Sequence, residues 1–307
     1  MKRDFIEINQ WDKKKILEKL RFAMELKNRF KRGESISPLK GKIMALVFQK
    51  PSLRTRISFE VAMRQLGGES LFISPAEIHI GKREPVADVA RVLSGYADIL
   101  VARVFEDEIL AGLAEHASVP VVNALSDYSH PCQIFCDLLT ILEKKGTAEG
   151  FRLTYIGDGN NVVNSWLHAC SRLDFHLTLS VPEGYEPDPE TFRAASRATG
   201  GSIRVTRDPV AAARNADVLY TDTWISMGQE EESQKRMRDF RNFTIDRKVL
   251  NAAKPDAIVM HCLPAYRGKE ITDDVIESPQ SVVFDQAENR LHGQKVIILD
   301  VMGIDRI

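Results

Sequence analysis

Ile43-Met44-Ala45-Leu46-Val47-Phe48-Gln49-Lys50-Pro51-Ser52-Leu53-Arg54-Thr55-Arg56 is an apolar run that stops at a cluster of hydroxyls and guanidiniums. An amphipathic run, 57–66, follows it. The order predicts strand, turn and helix, with two hydroxyls and two guanidiniums at the helix mouth. Helix N-termini carry unpaired N–H groups and a partial positive charge. Arginine adds a planar fork of donors that matches phosphate oxygens. The segment therefore suits a phosphate-bearing ligand, although the G-x-x-x-x-G-K-[ST] spacing of a Walker loop is absent. A capped helix start with solvated arginines is the alternative for this stretch taken alone.

The same alternation continues along the chain. Further strands are expected at 71–73, 99–102, 119–122, 153–156, 177–181, 203–205, 218–221 and 258–260, with helical patterns such as 86–97 and 210–215 between them. Short apolar strands separated by helices mark parallel α/β sheets. Four strands fall in the first half and five in the second, which predicts two doubly wound domains. A helix over 131–145, with Pro131 at its first position and Gly146 at its stop, joins them. The boundary is expected near Gly146–Gly150, and another helix is expected over 289–301.

A chain of 307 residues is long enough for two domains. Its 42 basic and 43 acidic residues leave a formal charge of -1, so no global field attracts nucleic acid or an anionic membrane. The four cysteines, Cys132, Cys136, Cys170 and Cys262, are too scattered for a disulfide framework or a zinc spacing. No apolar run reaches a membrane span and no signal-peptide core opens the chain, so a reducing cytoplasm is the expected compartment.

Ligands of open parallel sheets bind beyond the carboxyl ends of the strands. Those ends carry the conspicuous polar groups: Ser52–Arg56, Arg103, His130-Pro131-Cys132-Gln133, Gly157-Asp158-Gly159-Asn160-Asn161, Asp222 to Gly228, and His261-Cys262-Leu263-Pro264. Each has a plainer reading. Arg103 alone suits a surface ion pair, His130 a helix cap, Asp222 a turn, and Cys262 an inert buried thiol. The Gly157 loop also admits a dinucleotide, with Glu183 on a ribose, but the third glycine of G-x-G-x-x-G falls on Val162.

Four of these segments, in this order, closely resemble the aspartate/ornithine carbamoyltransferase family: Ser52–Arg56, His130–Gln133, Asp222–Gly228 and His261–Pro264. The resemblance spans about 48–290. It implies a carbamoyl-phosphate-binding domain over 1–146, completed by a C-terminal helix over 289–307, and an ornithine-binding domain over 147–288. It implies that Ser52, Arg54 and Thr55 hold the phosphate, with Leu53 giving its backbone N–H. Arg103 bridges phosphate and carbonyl, while His130 and Gln133 bind the carbamoyl group. Asn161, Asp222, Ser226 and Met227 hold ornithine. Cys262 and Leu263 face the reacting amine and carbamoyl amide, and Arg290 approaches the carbonyl. Two positions depart from the family pattern: Leu53, often threonine, and His79, often glutamine on a loop that reaches a neighbouring subunit's site.

The implied reaction passes the carbamoyl group of carbamoyl phosphate to the δ-amine of ornithine, giving citrulline and phosphate, with Arg54, Arg103, His130 and Cys262 in the catalytic roles. Arginines supply the positive charge, so neither a metal nor a cofactor is expected. The family forms homotrimers, and no nucleic-acid or membrane partner is expected. Another acceptor, such as putrescine, and an NAD-dependent oxidoreductase built on the Gly157 loop are the competing readings.

Overall fold

The computed structural model describes residues 2–307 except Pro75, Glu77, Ile78, His79, Lys82, Met227 and Gln229. Contacts divide the chain into two units, Met1–Leu139 with Asn289–Ile307, and Thr140–Glu288.

The first unit begins with α1 (Lys13–Lys31), β1 (Ile43–Phe48), α2 (Leu53–Gln65) and β2 (Glu69–Ile73). Then come α3 (Val86–Ser94), β3 (Ile99–Arg103), α4 (Asp107–His116) and β4 (Val121–Leu125). Helix α5 (Pro131–Lys145) contains the contact division between the units, which falls after Leu139. The sheet order is β2-β1-β3-β4, all parallel. Ala45, Val47, Leu100 and Ala102 pack one sheet face against Val89, Ala90, Ile109 and Leu113. Met44, Leu46 and Phe48 point the other way and are equally buried. Burial on both faces explains why β1 reads as a continuous apolar run. One element escaped the sequence pattern: Phe5 bridges Val122 and extends the sheet beside β4. A single bridging residue has no periodicity to read.

The second unit holds β5 (Arg152–Ile156), α6 (Asn161–Cys170), β6 (His176–Ser180), α7 (Pro189–Ala198) and β7 (Ser202–Thr206). It continues with α8 (Pro209–Ala213), β8 (Val218–Thr221), α9 (Ser233–Asp239), α10 (Arg247–Ala252), β9 (Ile258–His261) and α11 (Asp273–Ile276). Its sheet order is β7-β6-β5-β8-β9, again all parallel. Sequence-local signals start the helices: Asn160, Asp188, Asp208 and Asp246 cap them, and proline follows the cap in α7 and α8. Leu219 and Val259 pack with Trp224, Phe240, Val249 and Ile271. On other sides of the sheet Trp166 meets Tyr220 and Phe175 edge-on.

The last helix, α12 (Val283–Val301), starts six residues earlier than its pattern suggests. Val282-Val283-Phe284 looks like a strand end, yet the bridge of Val259 to Ser281 closes that pairing just before it. The helix starts at once, with the Gln286 N–H on the Val282 carbonyl at 2.8 Å. Gly146 does stop α5, in the left-handed region at φ 75°, with its N–H on Leu142.

Candidate active site

In each sheet the strand order reverses direction once, between β1 and β3 in the first and between β5 and β8 in the second. Loops leaving two such strands diverge and open a crevice at their carboxyl ends.

In the first unit those strands deliver Ser52–Thr55 and Arg103. Ser52 is the N-cap of α2, its hydroxyl accepting from the Thr55 N–H at 3.4 Å. Leu53 opens the helix just after the cap and is 74% exposed. Thr55 is fully buried, and its Oγ1 accepts from Arg290 Nη2 of α12 at 2.8 Å. Arg56 leaves the cluster: it pairs with Glu60 at 2.8 Å and lies over the Phe72 ring at 3.9 Å. One of the two guanidiniums expected at the helix mouth is therefore structural. Arg103 is buried where β3 ends. His130 follows β4 and precedes α5; its carbonyl accepts from the Gln133 and Ile134 N–H groups at 3.0 and 3.3 Å. Burial pushes the His130 imidazole well below its ordinary range, and Arg290 and Arg103 push it further. The ring is neutral at physiological pH and can donate one N–H without carrying charge. Gln133, also buried, is oriented by Nε2 donating to Asp137 at 2.8 Å.

In the second unit the same topology delivers a different chemistry. Asp222 follows β8, and its carboxylate accepts from Asn160 Nδ2 at 2.9 Å, the Thr223 N–H at 2.7 Å and Cys262 Sγ at 2.8 Å. Cys262 is partly exposed, whereas the other three cysteines are buried. Its turn is strapped in place by His261. The imidazole Nδ1 accepts the Leu263 N–H at 2.9 Å, so Nε2 is the nitrogen that donates to buried Glu270 at 3.1 Å. Leu263 itself sits at φ 57°, a left-handed conformation that a non-glycine residue adopts only when its surroundings hold it there. Asn161 is the first residue of α6, next to the capping Asn160, and Ser226 lies in the loop after Asp222; both are partly buried. Met227 and His79 lie outside the described residues.

Asp222, His261 and Cys262 offer ligand-type atoms within 4.8 Å of one another, the spacing of a metal site. Both ring nitrogens of His261 are already engaged, so a metal there would have to break the strap. The dinucleotide reading of the Gly157 loop fails on geometry. Gly159 is covered by 185–187, where an added Cβ would stand 2.4 Å from Pro187 N and 2.5 Å from the Tyr185 carbonyl. The Asn160 side chain already takes the Val162 and Val163 N–H groups at the mouth of α6. No open backbone cradle is left for a pyrophosphate.

Sequence reasoning missed a buried tie in this unit. Arg236 of α9 pairs with Asp158 at 2.8 Å and donates to the Trp224 carbonyl at 2.9 Å. It thereby joins the loop after β5 to the loop after β8. The two residues are 78 positions apart, and no local pattern links them.

Comparison with known proteins bears on both halves. The carbamoyl-P binding domain of aspartate/ornithine carbamoyltransferase matches residues 3–143, and the Asp/Orn binding domain matches 149–301. The chain belongs to the aspartate/ornithine carbamoyltransferase family. An ornithine carbamoyltransferase of Thermococcus kodakarensis is 49% identical over 98% of this chain and 96% of its own length. One of Pyrococcus furiosus, named as anabolic, is 48% identical over 98% and 96%. The solved ornithine carbamoyltransferase from Pyrococcus furiosus superposes with a TM-score of 0.95, covering 98% of this chain and 97% of the other. The family membership places the cationic loops in the carbamoyl-P binding half and the Asp222–Cys262 pair in the Asp/Orn binding half.

Proposed function

We propose that the chain transfers the carbamoyl group of carbamoyl phosphate to the δ-amine of L-ornithine, giving L-citrulline and phosphate. The observation that carries the acceptor assignment is Asp222 held against the Cys262 thiol at 2.8 Å. Ser52, the Leu53 N–H, Arg54 and Thr55 hold the phosphate, and Arg103, His130, Gln133 and Arg290 hold the carbamoyl group. A tetrahedral intermediate places negative charge on the carbonyl oxygen. Arg54, Arg103 and neutral His130 donate to it in preset positions, and removal of one such donor typically costs about 3–4 kcal/mol of barrier. The departing phosphate gains charge at the mouth of α2, which favours it.

An alkyl amine with a pKa near ~10.4 is mostly protonated in water and cannot attack. Asp222 therefore binds the α-ammonium, because a carboxylate beside the δ-nitrogen would stabilise its charged form. Its three protein donors still leave room for one more, since a carboxylate accepts about four. Asn161, Ser226 and Met227 complete the ornithine contacts, and Cys262 and Leu263 orient the amine and the carbamoyl amide. No covalent cysteine intermediate is invoked.

The domain assignment is 1–146 with 289–307 for carbamoyl phosphate and 147–288 for ornithine. We assign a homotrimer, with His79 reaching a neighbour's site. Exposed Ile57 and Leu71, at 47% and 51%, are apolar surface that a second copy would cover. Free thiols fit a reducing compartment such as the cytoplasm. The anabolic name of the Pyrococcus furiosus relative favours arginine biosynthesis.

The deciding assay is citrulline formation by the purified protein from carbamoyl phosphate and ornithine, with putrescine and aspartate as rival acceptors. Turnover with ornithine alone is expected. Preference for putrescine would keep the donor half and overturn the role of Asp222.

A further inference from the structure

The residues before α1 do more than extend a sheet. The Phe5 N–H donates to Val121 O at 2.9 Å, and the Asn123 N–H donates to Phe5 O at 2.8 Å. Asp4 adds a carboxylate oxygen on the Val121 N–H at 2.8 Å. Glu7 therefore leaves this pairing in a fixed position. Its Oε1 accepts the Ser129 hydroxyl. Ser129 Oγ in turn accepts from Asn123 Nδ2 at 3.0 Å, and the same amide donates to Ile6 O at 3.1 Å. Asn123, Ser126 and Ser129 are fully buried.

This chain runs in one direction, from the Asn123 amide through the Ser129 hydroxyl to the Glu7 carboxyl. Its middle member, Ser129, is the residue before His130. Ser126 and Ser129 close the turn on each other, with N–H to carbonyl at 2.9 Å and N–H to hydroxyl at 3.1 Å. On its other side His130 is fixed by the first turn of α5. Cys132 of that turn is itself tied to the Asn123 carbonyl at 3.1 Å. His130 thus hangs between a helix start and a serine whose hydroxyl is anchored on Glu7.

We propose that Glu7 is a positioning residue for carbamoyl transfer, setting the placement of His130 through Ser129. The proposal rests on the role given to His130 above. Burial pushes the Glu7 carboxyl up to about 8, with Asp107 of α4 adding to the rise and the Ser129 hydrogen bond opposing it. Cys132 of α5 also faces it and stays a thiol, its own value raised well above the ordinary one by burial. Glu7 is therefore mostly protonated at neutral pH. It anchors the turn without setting a negative charge beside a site that takes up phosphate.

The test is steady-state kinetics of the full chain, with both KM values and kcat, for Glu7→Ala, Glu7→Gln, Ser129→Ala, His130→Ala and the double variant Glu7→Ala/His130→Ala. Circular dichroism and melting establish that each is folded, and Ser129→Ala, a one-atom change, serves if Glu7→Ala is not. Glu7→Ala and Ser129→Ala should each lower kcat about tenfold, one hydrogen bond's worth. The KM for ornithine should stay within about twofold, since the effect lies in the other half. Glu7→Gln keeps the accepting oxygen and should recover to within about twofold of the parent. On the His130→Ala background, Glu7→Ala should add less than about twofold, because a residue acting through another has nothing left to act on. Full additivity in that double variant, or parental kcat in Glu7→Ala and Ser129→Ala beside an impaired His130→Ala, overturns the positioning role alone. Parental kinetics in His130→Ala overturn the reading of His130 itself and the proposal with it.

Discussion

The two sheets obey one rule and deliver opposite charges. Each reverses its strand order once and sends loops from the two strands at that point. In the first unit the loops carry Arg54 and Arg103, with Arg290 brought in on Thr55. In the second they carry Asp222, held by an amide, a backbone N–H and a thiol. Topology fixes where a site opens, and the residues in the loops fix which ligand it takes. A phosphate and a developing oxyanion need cations and neutral donors. An amino-acid acceptor needs a carboxylate for the ammonium that does not react.

Separate charges in separate units imply that single changes should damage one half and spare the other. The largest loss is expected from Arg54→Ala, about 3–4 kcal/mol in transition-state stabilisation, with the fold retained. Near-parental turnover there would sink the phosphate assignment. Arg236→Met should destabilise the second unit by about 3 kcal/mol in urea unfolding, because it strands Asp158 as a buried, unpaired acid. An unchanged urea midpoint would mean that the tie between the two loops is dispensable. Asp222→Asn should weaken ornithine by about 2 kcal/mol in KM while the affinity for carbamoyl phosphate, read by calorimetry, stays the same. Loss of donor affinity instead would break the division between the halves.

Glu7 gives a pH test of smaller size. Its carboxyl is protonated in the folded chain up to about 8, but in the unfolded chain it ionises above the ordinary value of 4.5. Folding therefore takes up a proton between those two values, and this contribution to stability falls as pH rises through the window. Glu7→Gln should flatten the decline by up to about 1.4 kcal/mol per pH unit, less whatever solvent reaches the partly exposed side chain. Identical slopes for the two proteins would show that the carboxyl does not titrate there. The smallest effect is expected from Leu53→Thr. With the side chain pointing to solvent and only its N–H assigned to phosphate, the KM for carbamoyl phosphate should move less than about twofold.

Much of this was legible because the inner strands of both sheets are buried on two faces and therefore read as short, mostly apolar runs that end at a polar loop. The β7 edge strand, half exposed, was found only by its Ile203 and Val205. The phosphate loop, His130, Asp222 and Cys262 stand in the loops that follow strands, where pattern and motif coincide. What stayed hidden is of one kind. Arg236 with Asp158, His261 with Glu270, Glu7 with Ser129 and Arg290 with Thr55 join residues that only the fold brings together. Arg290 entered by family resemblance alone. The start of α12 at Val283 lies six residues before the expected 289, in a stretch, Val282-Val283-Phe284, whose composition suits a strand.

The division of the chain has a consequence in time. The second unit, Thr140–Glu288, is one continuous stretch, whereas the first needs Asn289–Ile307 to be whole. During synthesis from the N-terminus, the ornithine half can finish folding while the phosphate loop still lacks Arg290. The segment with the earliest start is the last to be completed. A nascent chain stalled before residue 289 should hold a protease-resistant second unit and a first unit that is still open to cleavage.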